Sequence, residues 1–214
     1  MYNNAVRLNH IMREEESRMK TEDRRDRARK KAVHETMLAL LSEKKLSQIS
    51  IVELTTLADI NRKTFYNHYS DLYAVVGEIE DEIVEGLQEL LEKNLPDNLA
   101  EHSLTPKEMD ELAAEIAVPF FTALIEALKV SSSYPVIIQN CEGHCHIQQK
   151  IADMEKEMLL RFLDDRTKNI GMLDYYVTFL VEGASGVINR WSRDGFRTPT
   201  DELAEFFKRL FKPM

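Results

Sequence analysis

Residues 50–69, SIVELTTLADINRKTFYNHY, constrain the fold more than any other part of the chain, because two helix starts lie within them and leave room for only short helices. Ser50 followed by Glu53 has the pattern of a capping box, in which the Ser side chain accepts from the third backbone N–H and the Glu carboxylate reaches back. Asn61 offers a second cap. Between the two, Leu54, Leu57 and Ala58 are expected to face inward, with Asp59 in the turn before Ile60. After Asn61, Phe65 and Tyr69 share a face at i, i+4 spacing, while Arg62 with Tyr66, and Lys63 with Asn67, pair on other faces. Two short helices joined by a tight turn, the second with cations and amides outward, describe a helix-turn-helix. Helices this short cannot stand alone, so Phe65, Ile60 and Tyr69 are expected in a small shared core.

The rest of the chain reads as helix too. Seven Gly and six Pro in 214 residues leave little punctuation for a many-stranded fold, and Cys141 and Cys145 are the only cysteines, too few for a disulfide framework. The expected class is all-α. No run approaches the ~18 consecutive apolar residues of a membrane span, and the start, MYNNAVRLNHIMREEE, lacks a signal peptide's apolar stretch, so a cytoplasmic protein with no membrane partner is expected. Charge divides the chain. Residues 1–69 carry 14 Lys+Arg against 10 Asp+Glu, and residues 70–214 carry 14 against 27, within a formal net charge of -9. A basic N-terminal part on an acidic body suits a polyanion partner at one end; a solvated helix of mixed charge would look the same by charge alone.

These boundaries imply an extension over 1–20, a helix-turn-helix domain over 21–69 and a helical body over 70–214. Thr21 can cap the first helix, with Glu22 and Asp23 in its first turn; Ala28, Ala32, Thr36, Leu40 and Leu41 form its inward face and RRDRARKK turns to solvent. Ser70 or Asp71 opens a helix through about Lys93, stopped by Pro96. Thr105, Pro106 and Glu108 supply another capping box, Pro119 is expected to break or kink the helix that they open, and a further helix runs from about His144 to Asp164.

Residues 50–69 resemble the DNA-binding signature of TetR-type transcriptional regulators: a capped helix, a turn, and a recognition helix ending here in Thr64-Phe65-Tyr66-Asn67-His68-Tyr69. Asp59 stands where that family usually has a turn Gly, and Leu72 where it often has a phosphate-contacting Lys. The resemblance implies a three-helix DNA-binding domain, a C-terminal effector-binding and dimerisation domain, and a homodimer on a pseudo-palindromic double-stranded operator. The chemistry agrees independently. Arg62 and Lys63 can donate to guanine O6 and N7, and Asn67 can pair with adenine N6 and N7, in a major groove. Ser50, Asn61, Thr64, Tyr66 and His68 suit phosphates, although Tyr66 and His68 could equally cover the small core.

Two later stretches carry further expectations. In DYYVTFLVEGASGVINRWSRDG, residues 174–195, one side of a long helix gathers Tyr176, Phe179, Gly183, Val187 and Trp191, with Met172 just before it, and Gly183, Ala184 and Gly186 admit a close neighbour. Beyond it, TPTDELAEFFKRLF places Leu203, Phe206, Phe207, Leu210 and Phe211 in one stripe. This pair resembles the closing helices of regulators related to those of dihydroxyacetone kinase operons, and it implies a dimer interface through Trp191, Leu203, Phe206, Phe207, Leu210 and Phe211. The other stretch, NCEGHCHI, puts Cys141, His144, Cys145 and His146 within six positions. Thiolates and imidazoles suit zinc or copper, but a buried Cys145 beside surface histidines accounts for the cluster more simply, so no metal or other cofactor is expected. Three classes remain. The first is a regulator answering an unknown small-molecule effector, with a metal-responsive variant that uses the Cys/His cluster. The second is a helical adaptor or co-activator with reduced DNA binding, to which Leu72 and the acidic body point. The third is an enzyme, against which stands the lack of a phosphate-binding Gly-rich loop, GxSxG or HExxH.

Overall fold

The computed structural model describes residues 24–94, 106–141, 143–164 and 173–210, with 94, 106–116, 162–164 and 173 by backbone only. The fold is all-α, with no strand among the described residues. Helix α1 runs over residues 24–43. After a 3-10 turn at Leu46–Gln48 come α2 (Ile51–Leu57), α3 (Arg62–His68), α4 (Leu72–Asn94), α5 (Pro106–Val130), α6 (Tyr134–Asn140), α7 (Ile147–Asp164), α8 (Leu173–Arg193) and α9 (Thr200–Leu210). Two compact units result, Met1–Val75 and Val76–Met214, so the division falls inside α4. Thr21, Thr105 and Phe211 lie outside the described residues.

In the first unit the core is built by Val33, Met37, Leu40 and Leu41 of α1 with Leu54, Ala58, Phe65 and Tyr69. The expected inward face of α1 is therefore shifted: Ala28 is exposed and Ala32 and Thr36 are half-buried. The larger side chains, one position along the helix, bury more apolar area and set its rotation. Buried His34 Nε2 lies 3.0 Å from the Tyr69 hydroxyl, tying α1 to the end of α3. Leu57, expected inward, is 61% exposed, because the last residue of α2 has turned past the core face.

The α2–α3 turn is a Schellman motif. Ile60 N–H donates to Thr55 O at 3.0 Å and Asp59 N–H to Thr56 O at 3.4 Å, with Asp59 at φ 52°. That left-handed backbone favours Gly and is tolerated by Asp better than by most residues. The same motif closes α8: Gly195 has φ 73°, Phe196 N–H donates to Trp191 O at 3.0 Å, and the Phe196 ring meets the Trp191 ring edge-on at 4.8 Å.

In the second unit α7 packs along α8, and α5 along α9, where Phe121 and Phe207 stack at 5.5 Å. Pro119 neither breaks nor ends α5, which runs continuously from Pro106 to Val130. Asp71 opens α4, its carboxylate accepting from Ala74 N–H at 2.9 Å. Helix α6 is an addition to the helices expected from periodicity. Helix α7 begins at Ile147 rather than His144, because Gly143 at φ 78° holds a turn through His144. The inward face of α8 is Val177, Leu180, Val181, Ala184, Ile188 and Trp191; of the expected stripe, Phe179 is 75% exposed and Gly183 is open. No single helix among the described residues is long and apolar enough to cross a membrane, and the apolar segments Ala117–Val130 and Tyr134–Asn140 meet at 78°.

Candidate nucleic-acid interface

Both helix starts are capped as their sequence demands. Ser50 Oγ accepts from Glu53 N–H at 3.2 Å and Asn61 Oδ1 from Thr64 N–H at 2.7 Å. Each cap spends an acceptor on the helix and keeps donors, a hydroxyl proton and an amide NH2, for a partner outside. Glu53 turns its carboxylate to Lys44 Nζ, so the capping box is made on its Ser side while the Glu fastens α2 to the end of α1.

Helix α3 sorts its side chains by radial position. Phe65 is fully buried against Tyr69, ring centroids 5.5 Å apart, and this fixes the rotation of the helix. Arg62, Lys63, Tyr66 and Asn67 then share the exposed side. Tyr66 is 53% exposed, edge-on to Phe65 at 5.4 Å, so its ring covers the core while its hydroxyl reaches solvent. Thr64 is half-buried. His68 is half-buried too, with Nε2 3.9 Å from the Asp26 carboxylate of α1, an ion pair when the imidazole is protonated. Ser50, Asn61, Arg62, Lys63, Thr64, Tyr66, Asn67 and His68 thus belong to one short segment of the first unit, with two cations, an amide and a phenol presented together. Leu72 is half-buried at the first position of α4, beside the exposed Tyr73.

The other expected site residues divide differently. Of the residues expected at an interface, Trp191, Leu203 and Phe207 are 4%, 7% and 0% exposed, packed into the chain's own core, and the Trp191 indole N–H donates to Thr198 O at 2.8 Å. Side chains consumed in this way cannot present an open face. Phe206 and Leu210 remain 46% and 55% exposed on α9, and Tyr175 and Phe179 are 69% and 75% exposed on α8.

Cys141 is buried at the end of α6, Cys145 is half-buried, and His144 and His146 are exposed. Burial pushes both thiols up to about 12, with the nearby Glu80 carboxylate adding to it. Among the described residues no three His, Cys, Asp or Glu side chains converge on a metal position. What organises this segment is Glu80 of α4, 1% exposed, whose Oε1 accepts from His146 N–H at 2.8 Å and Ile147 N–H at 3.2 Å while Oε2 lies 3.2 Å from Lys150 Nζ. Lys150 Nζ also donates to Gly77 O at 3.0 Å and to Asp81 at 2.6 Å. Glu80 has no local signal in the sequence, since its partners lie 66 and 67 positions away.

Residues 117–213 match the family model described as the C-terminal region of TetR-type transcriptional regulators. No curated protein sequence matches the chain. Among solved structures, the chain is similar to native NalD of Pseudomonas aeruginosa, the secondary repressor of the MexAB-OprM multidrug efflux pump, with 21% identity, 87% of this chain and 94% of that chain covered, and a TM-score of 0.52. The chain thus joins the all-α fold of a solved repressor to a C-terminal region that matches TetR-type transcriptional regulators.

Proposed function

We propose that this protein is a ligand-responsive transcriptional regulator, a repressor, that binds a pseudo-palindromic operator as a homodimer. The observation that carries this reading is the exposed side of α3, where Arg62, Lys63, Tyr66 and Asn67 stand together over a helix fixed by buried Phe65 and Tyr69. Arg62, Lys63 and Asn67 read base edges in the major groove, and Ser50, Asn61, Thr64, Tyr66 and His68 hold phosphates. The working division is residues 21–69 for DNA and 70–214 for effector and dimer.

The dimer forms through α8 and α9, by the exposed Tyr175, Phe179, Phe206 and Leu210, with Gly183 and Gly186 open to a neighbouring helix. The resemblance of these two helices to the dihydroxyacetone kinase operon subgroup supports that pairing. A stable contact of this kind buries about 1,000 Å² or more in total. Half-sites about 34 Å apart, or a multiple of that, fix the separation of the two α3 helices. A small-molecule effector favouring another separation lowers DNA affinity by linkage through α4, without touching DNA. The protein is not an enzyme on this reading and needs no cofactor.

Selection of bound duplexes from a random library by the purified protein is the test. An enriched inverted repeat is the expected outcome. Retention that depends on salt but enriches no sequence would overturn the reading in favour of an adaptor with residual polyanion affinity.

A further inference from the structure

The interior of the second unit holds a carboxyl group that packing does not explain. Glu155 of α7 is 0% exposed. Its Oε2 is 3.4 Å from the Ser185 hydroxyl of α8, a long hydrogen bond, and among the described residues its Oε1 has no hydrogen-bond partner. The Thr122 hydroxyl of α5 is buried without a partner among the described residues as well. An apolar side chain of similar volume would fill this position at lower cost, since a buried polar atom left unpaired forfeits its hydration for nothing. Among the described residues, its surroundings supply negative rather than positive charge. Glu182 of α8 adds negative potential, Tyr134 of α6 lies within electrostatic reach with its hydroxyl 3.1 Å from Ser192 Oγ, and Cys145 stands near Tyr134. The neighbouring cation on α7 itself, Lys156, pairs instead with Asp174 at 3.0 Å.

We propose that Glu155 is the recognition group for an effector bearing a protonated amine, bound between α7 and α8 with its N–H groups on Oε1. The proposal rests on the regulator reading above and supplies the chemistry of its effector. Burial, opposed by the Ser185 hydroxyl and reinforced by Glu182, pushes the Glu155 carboxyl up to about 8, so the free protein holds it protonated and neutral at neutral pH. Arrival of an ammonium ion reverses that balance: the carboxyl gives its proton to solvent, and the carboxylate formed pairs with the ligand's charge. One proton leaves for each ligand bound. Affinity therefore rises as pH climbs toward about 8 and levels off above it.

The experiment uses the full chain without DNA and three homologous probe series, n-alkylammonium ions, n-alkanols and n-alkylcarboxylates of matched length. Binding is read by calorimetry in buffers of different ionisation enthalpy and by thermal shift. The expected result is that some length of ammonium binds while its alcohol and carboxylate do not, that close to one proton is released below pH 8, and that affinity grows about tenfold per pH unit there. Glu155→Gln has the shape of the protonated acid and should fold, bind the ammonium about 10- to 100-fold more weakly and release no proton. Glu182→Gln, which alters only the potential, should weaken binding by less. Ammonium ions that never outbind their alcohols, wild-type affinity in Glu155→Gln, or binding without proton release would each overturn the proposal. Loss of operator binding has no bearing on these measurements. An ammonium that binds through Glu155 without altering operator affinity would overturn its role as the effector, whereas a chain that selects no operator would remove the regulator reading instead.

Discussion

Glu80 is the residue whose removal should cost the second unit most for the least change in volume. Its carboxylate takes up two backbone N–H groups at the start of α7 and pairs with Lys150, all from a position 1% exposed. In Glu80→Ala the Ile147 amide, itself buried, loses its acceptor, and the His146 amide is part-buried. Orphaned buried donors cost about 1–3 kcal/mol each, and the lost negative charge at a helix N-terminus adds ~0.3–1 kcal/mol. Lys150 contributes little, because its side chain is 30% exposed and keeps Asp81 and Gly77. The sum is about 2–7 kcal/mol for Ala, in the lower half of that range because the His146 amide is only part-buried. Glu80→Gln keeps Oε1 as acceptor for both amides and gives up the charge and the oxygen that faces Lys150, so about 1–2 kcal/mol is expected. Urea denaturation followed by Trp191 fluorescence isolates the effect, since the sole tryptophan lies in the second unit and the first unit contributes no signal. A cost below ~1 kcal/mol for Ala would refute the capping role. Equal costs for Ala and Gln would refute the hydrogen-bond account in favour of a charge effect.

Further outcomes concern the DNA face, the turn and assembly. Arg62→Ala should cost about 1–3 kcal/mol of operator affinity and relax selectivity at one base pair in a binding-site selection; uniform loss over all sequences would assign Arg62 to phosphates. Operator affinity should fall with salt at a log-log slope of about -0.9 per phosphate contacted, and a flat response in fluorescence anisotropy would argue against groove docking altogether. Asp59→Gly should stabilise the first unit by about 0.5–1 kcal/mol in thermal melts by circular dichroism, because a left-handed φ of 52° strains any residue with a Cβ; destabilisation would mean the Asp side chain contributes more than the backbone loses. Phe206→Asp with Leu210→Asp should give helical monomers by analytical ultracentrifugation, whereas Phe207→Ala should cost about 3–5 kcal/mol of folding stability, being buried against Phe121. Dimers persisting in the double variant would move the interface off α9.

What is legible in the sequence is local. The caps at Ser50, Asn61 and Asp71 and the placement of Phe65 and Tyr69 arise from hydrogen bonds and periodicity spanning a few residues, and the structure shows each of them. Asp59 in the turn is legible for the same reason. Pro119 leaves α5 unbroken because a proline removes one donor and clashes with one preceding turn, penalties that neighbouring packing can absorb in a long helix; Phe120 and Phe121 directly after it are 2% and 0% exposed. Helix α6, as short as α2 and α3, escapes a sequence reading because it lacks their caps: Ser133 before it makes no side-chain hydrogen bond to the helix start. Glu80 and Glu155 are invisible as sites, since a glutamate on an amphipathic helix reads as surface until the fold places it inside.

The division of α8 and α9 between buried and exposed apolar residues has a different origin. Each helix carries apolar residues around more than one side, so periodicity marks the helix as amphipathic without saying which apolar residues turn toward the chain's own core. On α8 the core takes Val177, Leu180, Val181, Ala184 and Ile188, leaving Tyr175 and Phe179 out; on α9 it takes Leu203, Ala204 and Phe207, leaving Phe206 and Leu210 out. A stripe wider than one helix–helix contact requires is divided in this way, and the portion left over is the portion that no neighbour among the described residues covers. Large apolar side chains left exposed on two successive helices are costly in water, and a second copy of the same two helices would cover both at once. On the proposed dimer, the phase that periodicity leaves open separates folding from assembly: Phe207 and Leu203 would answer to stability, and Phe206 and Leu210 to association.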